Sequence, residues 1–399
     1  MMKNGLNVAK LENEEFEISR KKANIECCKL SNTSEYLIDI YNIENSYTGR
    51  VTGVMTNMNI FILEAVQLLV NSISLFEMGY FDAAYYSLRQ SIEMCLVLIY
   101  FAELSDKDKE KADRELKKWN KDKRFPMRKE IINDLSEIGL VFSDMKNKMK
   151  HFFKKISDLS NRINKYVHKQ GFKYFYVIRK YYDNDKKNAG ISDFEFFLRQ
   201  SIGIVAVMRL AIDPYPLLLN DEEILYRCYD SITEPYSTNF IKKYIDKKDI
   251  KDYMETDIYK GYYEYHIKQP KKNIATFNVM KNHYIETNKM EDILKQIELL
   301  DIDDMISCRI VFSIKKVTRV YWYKGLLNYF TDRNDSNILG YEYKIFEKYE
   351  NSKDLYNQNY ENDFISVFKY KIYDSIETVW VEHNEKLTDN EIKILENMI

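Results

Sequence analysis

An arginine followed six positions later by a histidine, Arg162 and His168, is the one arrangement in this 399-residue chain whose residue types look like chemistry. The pair sits in Asn161-Arg162-Ile163-Asn164-Lys165-Tyr166-Val167-His168-Lys169-Gln170-Gly171. That run is the centre of a strongly basic stretch, Lys146 to Lys180, with eleven Lys and Arg and one acidic residue, Asp158. Breaking an RNA strand needs a base for the 2′-hydroxyl, an acid for the leaving oxygen and a cation for the phosphate. An imidazole with a pKa near 6.5 moves protons at neutral pH. A guanidinium grips phosphate through two parallel hydrogen bonds. Surrounding lysines (Lys154, Lys155, Lys165, Lys169 and Lys173) would add RNA affinity that falls with salt. His151 lies in the same stretch as a reserve candidate, although a lone histidine is more often structural.

The charge is unevenly spread. The whole chain carries −2, whereas Lys146 to Lys180 carries +10 and leaves −12 for the rest. A local basic field on a near-neutral protein suits a polyanionic partner or an acidic protein surface, and a solvated helix face accounts for it equally well. Lys173-Tyr174-Phe175-Tyr176 interleaves cations and rings. Such rings can stack on unpaired bases or pack in a core.

The stretch must be positioned by helices. Met149, Phe152, Ile156, Leu159, Ile163 and Tyr166 alternate spacings of three and four, the seam of a bundle helix. Ile163 and Tyr166 face inward, Arg162 flanks the seam and Gly171 is a plausible stop. Six residues of straight helix set Arg162 and His168 about 120° apart. A shared site therefore needs either a helix end near His168 or a second copy of the chain.

Upstream, 55–78 and about 82–104 read as two long apolar helices broken at Gly79-Tyr80-Phe81-Asp82, with Asp82 as a cap, hence an antiparallel hairpin. Ala84, Leu88, Ile92, Cys95 and Ile99 form one stripe on the second helix. Beside it, Arg89 and Glu93 are four residues apart and can reach each other. They fix helix register or, alternatively, set Arg89 at a phosphate between helices. Further helices are expected over Ser105–Lys118 with Ser105 as cap, Glu130–Phe142 and Glu195–Ala211, with polar loop over Asp183–Ala189.

The hairpin with Gly79, Phe81 and Ala84 at its turn, the Arg89/Glu93 pair and the later Arg162/His168 helix resemble the HEPN superfamily, more narrowly its bacterial HEPN-like members. The resemblance covers roughly residues 50–230. It implies metal-independent RNA cleavage across a homodimer interface, in antiphage defence or a toxin system. Carried over, Arg162 would hold the scissile phosphate, His168 would act as general acid or base, and Asn164 matches the polar residue that often follows the family's arginine. That alignment puts Ile163 where the arginine is expected, and Arg162 fits by a longer spacing. The alternative is a non-catalytic helical module that binds RNA or a protein, with Arg162 holding the bundle together.

The architecture expected is mainly α. A polar segment (1–45) precedes a helical bundle (46–235), and a smaller helical or α+β domain (236–399) follows, which is a candidate surface for a protein partner. In that last part, 236–270 reads as a linker with a helix, Asn273–Tyr284 as a strand and Met290–Leu300 as a helix. Ile306–Tyr321 is ambiguous between helix and strand, Phe364–Trp380 reads as an amphipathic helix, and Thr388 with Glu391 makes a capping box. Asp301, Asp303 and Asp304 read as helix caps. Five scattered cysteines make no disulfide framework or zinc site, and His266, His283 and His383 lack metal-ligand spacing. Neither a metal nor a cofactor is expected. The N-terminus lacks an apolar signal core and the run Met94–Ala102 is too short to span a bilayer, so a cytoplasmic protein without a membrane partner is expected. Walker, dinucleotide-glycine, H-E-x-x-H and G-x-S-x-G motifs are missing, which removes support for nucleotide hydrolysis, zinc proteolysis and esterase chemistry.

Overall fold

Gly79 turns the chain between two long apolar helices. In the computed structural model it has φ +86°. The Gly79 amide donates to Phe76 O (3.0 Å) and the Tyr80 amide to Leu75 O (2.8 Å), a Schellman ending that closes the first helix. The structure describes residues 28–45, 54–119, 121, 128–175, 184–228, 234–333 and 343–398. Residues 1–27 of the expected polar segment and Tyr176 lie outside them. The chain divides into two compact units, Met1–Leu225 with Ile232–Lys268, and Tyr226–Ser231 with Gln269–Ile399.

The first unit is helical: α1 (Thr33–Asn45), α2 (Val54–Glu77), α3 (Phe81–Lys107), α4 (Lys109–Trp119), α5 (Arg128–Ile138), α6 (Leu140–Lys148), α7 (Lys150–Val167), α8 (Asn184–Arg209), the short α9 (Tyr215–Leu218) and α10 (Glu222–Leu225), then α11 (Thr238–Tyr244), α12 (Lys247–Met254) and α13 (Asp257–Ile267). Helix α3 is the central element, packed against α2, α5, α7 and α8. Its expected stripe is fully inside, with Ala84, Leu88, Ile92, Cys95 and Ile99 all at 1% exposure or less. The segment Ile60–Glu77 of α2 is long and apolar enough to cross a membrane on length and composition. It packs on α3 through Phe61, Ala65, Leu69 and Ile73, while Ile60 and Leu63 are exposed.

Several expected boundaries move. Helix α3 runs past Ser105 to Lys107, and Asp108 instead accepts from the Lys111 amide (2.9 Å) to start α4. The N-cap residue of α3 is Tyr80, and Asp82, in the first turn, pairs with Lys169. Gly139 splits the expected helix over 130–142 because buried Glu103 accepts from the amides of Leu140 (2.8 Å) and Phe142 (2.6 Å), which caps α6 from a neighbouring helix. Helix α8 begins at Asn184, where polar loop was expected. At Gly203 of α8 a Cβ would lie 2.0 Å from Tyr244 O, so the glycine lets α11 approach closely. Residues 238–267 form three helices where a linker with a helix was expected.

The second unit is α+β. It holds α14 (Ile274–Asn282), β1 (Tyr284–Ile285), α15 (Met290–Leu294), α16 (Ile302–Ser313), β2 (Val317–Trp322), β3 (Leu327–Thr331), α17 (Tyr343–Glu350), β4 (Gln358–Tyr360), β5 (Asp363–Ile372), β6 (Ser375–His383) and α18 (Asp389–Glu396). The sheet runs β1-β3-β2-β6-β5-β4 and is antiparallel except for β1 with β3. Two expectations fail here for the same reason, that short apolar runs do not distinguish the helical period from the strand period. Asn273–Tyr284 is mostly the helix Ile274–Asn282, capped by Asn273 accepting from the Thr276 amide at 2.8 Å, with Tyr284 opening β1. Phe364–Trp380 is the β5–β6 hairpin, its alternation completed by cross-strand pairs such as Val367 with Trp380. The ambiguous 306–321 segment is both, helix to Ser313 and strand from Val317. Met290–Leu300 holds only one short α-helix and a 3₁₀ turn. The capping boxes at Asp301/Asp304 and Thr388/Glu391 are present as expected.

Asp304 is 4% exposed and accepts from the Tyr329 hydroxyl at 2.6 Å. Burial pushes its carboxyl up to about 6. An acid whose pKa rises on folding holds its proton more tightly in the folded state, so its contribution to stability falls as pH climbs from about 4 to about 6. Wild type should lose about 2–3 kcal/mol across that window relative to Asp304→Asn, at 1.36 kcal/mol per pKa unit. Urea unfolding followed by tryptophan fluorescence checks this, since Trp322 and Trp380 both report on this unit; parallel pH profiles for the two proteins would contradict it.

Candidate functional site

Helix α7 is amphipathic in the register the seam predicts. Met149, Phe152, Ile156, Leu159 and Ile163 are buried, and Tyr166 is half-buried. Tyr166 stacks on Tyr85 of α3 (centroids 4.1 Å apart), and its hydroxyl donates to Asp193 of α8 at 3.3 Å. The helix stops at Val167. The His168 amide still donates to Asn164 O (2.8 Å), Lys169 takes φ +51° and Gly171 φ +116°. His168 is therefore the C-terminal cap residue, exposed, with its ring outside the helical wheel.

That ending brings together two residues 79 positions apart. Arg89 Nη1 of α3 lies 3.1 Å from His168 Nε2. The guanidinium can only donate, so Nε2 accepts and the ring proton sits on Nδ1 in this arrangement. Arg89 Nε donates to Glu93 Oε1 at 2.9 Å. Gln90 Nε2 donates to Glu93 Oε2 (3.2 Å) and to the Tyr86 hydroxyl (3.0 Å). The Arg89 and Glu93 side chains are about one-fifth exposed (24% and 17%). Arg89 is thus held by a carboxylate through Nε, and its terminal nitrogens reach the exposed histidine. The pair forms within one chain.

Arg162 goes elsewhere. Its guanidinium lies over Phe196 (4.9 Å) and Phe197 (4.7 Å) of α8, a cation–π clasp on an exposed arginine. Arg162 and His168 therefore have separate partners. Asn164 is half-buried, and its Oδ1 is buried with no hydrogen bond among the described residues. Lys169 pairs with Asp82, and Lys173 Nζ lies 5.1 Å from the Tyr174 ring centroid. Lys154 and Lys165 are exposed.

The middle of the basic stretch is neutralised from within the same unit. Lys155 Nζ contacts Asp249 (2.5 Å) and Asp246 (2.7 Å), His151 Nδ1 lies 3.0 Å from Asp249, and Lys148 contacts Asp257 at 2.5 Å. Donor atoms of His151, Asp246 and Asp249 lie within 4.8 Å of one another, a spacing a metal ion could use. The Lys155 ammonium already sits on both carboxylates and supplies the positive charge there. Lys155 thus docks α12 onto α7, and among the described residues of the stretch the exposed lysines are Lys146, Lys150, Lys154, Lys165 and Lys173.

No family model matches the chain, and neither a curated protein nor a solved structure matches it. The HEPN resemblance accordingly rests on its short motifs. Sequence reasoning singled out Arg89 and His168 separately and did not pair them, because their contact depends on how α3 and α7 pack. The roles of Asp246 and Asp249 had no local signal beyond acidity.

Asp249 is fully buried and shared by Lys155 and His151. Asp249→Ala should cost about 2 kcal/mol, because it removes the buried carboxylate shared by Lys155 and His151 and leaves the Lys155 ammonium only the exposed Asp246, whereas exposed Lys154→Ala should change stability by less than about 0.5 kcal/mol. Denaturant titration of both variants checks this; a loss below about 1 kcal/mol for Asp249→Ala would contradict it.

Proposed function

We propose that this chain is a metal-independent endoribonuclease whose proton-transfer group is His168 and whose phosphate clamp is Arg89. The observation that carries the reading is the 3.1 Å contact between Arg89 Nη1 and His168 Nε2 on an exposed surface at the end of a basic helix. A cation and an imidazole at hydrogen-bond distance are what attack of a ribose 2′-hydroxyl on its own phosphate requires. Glu93 holds Arg89 by Nε and leaves the terminal nitrogens for phosphate oxygens. As the phosphate draws Arg89 away, His168 Nε2 is released to take the 2′-hydroxyl proton. The same ring then returns it to the leaving 5′-oxygen, and a 2′,3′-cyclic phosphate remains. Lys154 and Lys165 guide the strand by charge. The HEPN resemblance supports the same chemistry, with Arg89 in place of Arg162 as the residue on the phosphate.

A second reading, a non-catalytic module that binds RNA or a protein, is favoured by one observation: Arg162 is engaged by Phe196 and Phe197, as a residue that holds the bundle together would be.

Purified protein incubated with total RNA in EDTA separates the two. Wild type should cleave, and His168→Ala should lose about 10²- to 10⁴-fold, the range expected for a general acid–base group. Arg89→Ala should lose a comparable factor, while Arg162→Ala should stay within about tenfold of wild type, since it removes packing and not a phosphate contact. Cleavage unaffected in both His168→Ala and Arg89→Ala would contradict the assignment, and no cleavage by wild type would favour the module.

A further inference from the structure

The longest strand of the second unit leaves part of its outer edge open. Strand β4 pairs with β5 only through Gln358–Ile365, Asn359–Phe364 and Tyr360–Asp363. Past that, the Val367 amide donates outward to Leu355 O at 2.8 Å. Backbone groups alternate sides along an antiparallel strand, so Lys369 and Lys371 also turn theirs outward, away from β6. Among the described residues no backbone group bonds to either on that side. Both lysine side chains are exposed, while Tyr370 (2%) and Ile372 (6%) between and beside them are buried. At the hairpin end, Tyr373 and Ile376 are 83% and 70% exposed, and Ile376 is the cross-strand partner of Lys371.

We infer that the β5 edge over Lys369–Ile372 is a docking site for an extended protein segment in which acidic and apolar residues alternate, added as a strand beside β5. The occupant follows from charge. A second copy of this edge in antiparallel register would set lysine opposite lysine, which is unfavourable, so self-pairing is opposed. An added strand with Glu or Asp opposite Lys369 and Lys371 turns the same pair into attraction. Its intervening residues fall on the side of Tyr370 and Ile372, where the core cluster with Phe368, Val379 and Leu395 ends, and there apolar side chains extend it. Main-chain bonds to the outward groups of Lys369 and Lys371 supply affinity, and the alternation supplies selectivity. The unneutralised lysines also explain how the edge stays free of self-aggregation while it waits for an acidic partner.

The test is fluorescence anisotropy of the full-length chain with two labelled, end-blocked eight-residue peptides, one alternating Glu and Val and one alternating Lys and Val. The Glu peptide should bind at least about fivefold more tightly than the Lys peptide, and the double variant Lys369→Glu/Lys371→Glu should reverse the order. Lys371→Pro, which removes an outward amide donor, should weaken the Glu peptide at least about threefold beyond Lys371→Ala, which removes the same charge and keeps the donor. Equal binding of the two peptides, absence of binding, or binding of the Glu peptide unchanged by both the charge reversal and the proline would overturn the proposal.

Discussion

The stack of Tyr166 on Tyr85, with centroids 4.1 Å apart, sets the register of α7 against α3 at the end where the helix stops. Its neighbours are Phe194 and Phe197 of α8, which meet Tyr85 edge-on, so three helices converge on one aromatic cluster. Aromatic pairs of this kind contribute about 0.5–1.5 kcal/mol each beyond the area they bury. Their larger effect here is geometric. Tyr85 and Arg89 are one helical turn apart on α3, and Tyr166 and His168 are two residues apart at the end of α7, so the register that stacks the rings also delivers Arg89 to His168.

Around that register the basic residues divide by task. Lys155, Lys148 and His151 are occupied by Asp249, Asp246 and Asp257 and fasten the 246–257 segment to the bundle. Arg162 is occupied by two phenylalanine rings. Among the described residues Lys146, Lys150, Lys154, Lys165 and Lys173 face solvent along the stretch, the last two within five positions of His168. A helix C-terminus carries partial negative charge, which favours a cation close to the His168 end; Arg89 supplies it.

Much of the bundle was legible in the sequence because its signals are local and periodic. The Ala84–Ile99 stripe, the Gly79 turn, the Met149–Ile163 seam and the Thr388/Glu391 capping box each depend on residues a few positions apart. The failures share the opposite property. Glu103 caps the start of α6 from 37 positions away through the Leu140 amide, and Phe364–Trp380 becomes a hairpin through cross-strand pairing. In the candidate site the residue types were readable, and so was a helix end close to Gly171, which falls at Val167. The substitution of Arg89 for Arg162 as the neighbour of His168 was not, since it follows from the packing of two helices 79 residues apart in the chain.

The site depends on His168 Nε2 accepting a hydrogen bond from Arg89. Long-range ¹⁵N–¹H spectra of histidine-labelled protein report the ring tautomer directly, and with five histidines in the chain His168 is assigned by one substitution. The neutral ring of His168 should carry its proton on Nδ1 with Nε2 bare, and Arg89→Ala should shift it towards the Nε2-protonated form. An Nε2-protonated ring in wild type, unchanged by Arg89→Ala, would contradict the pairing on which the site is built.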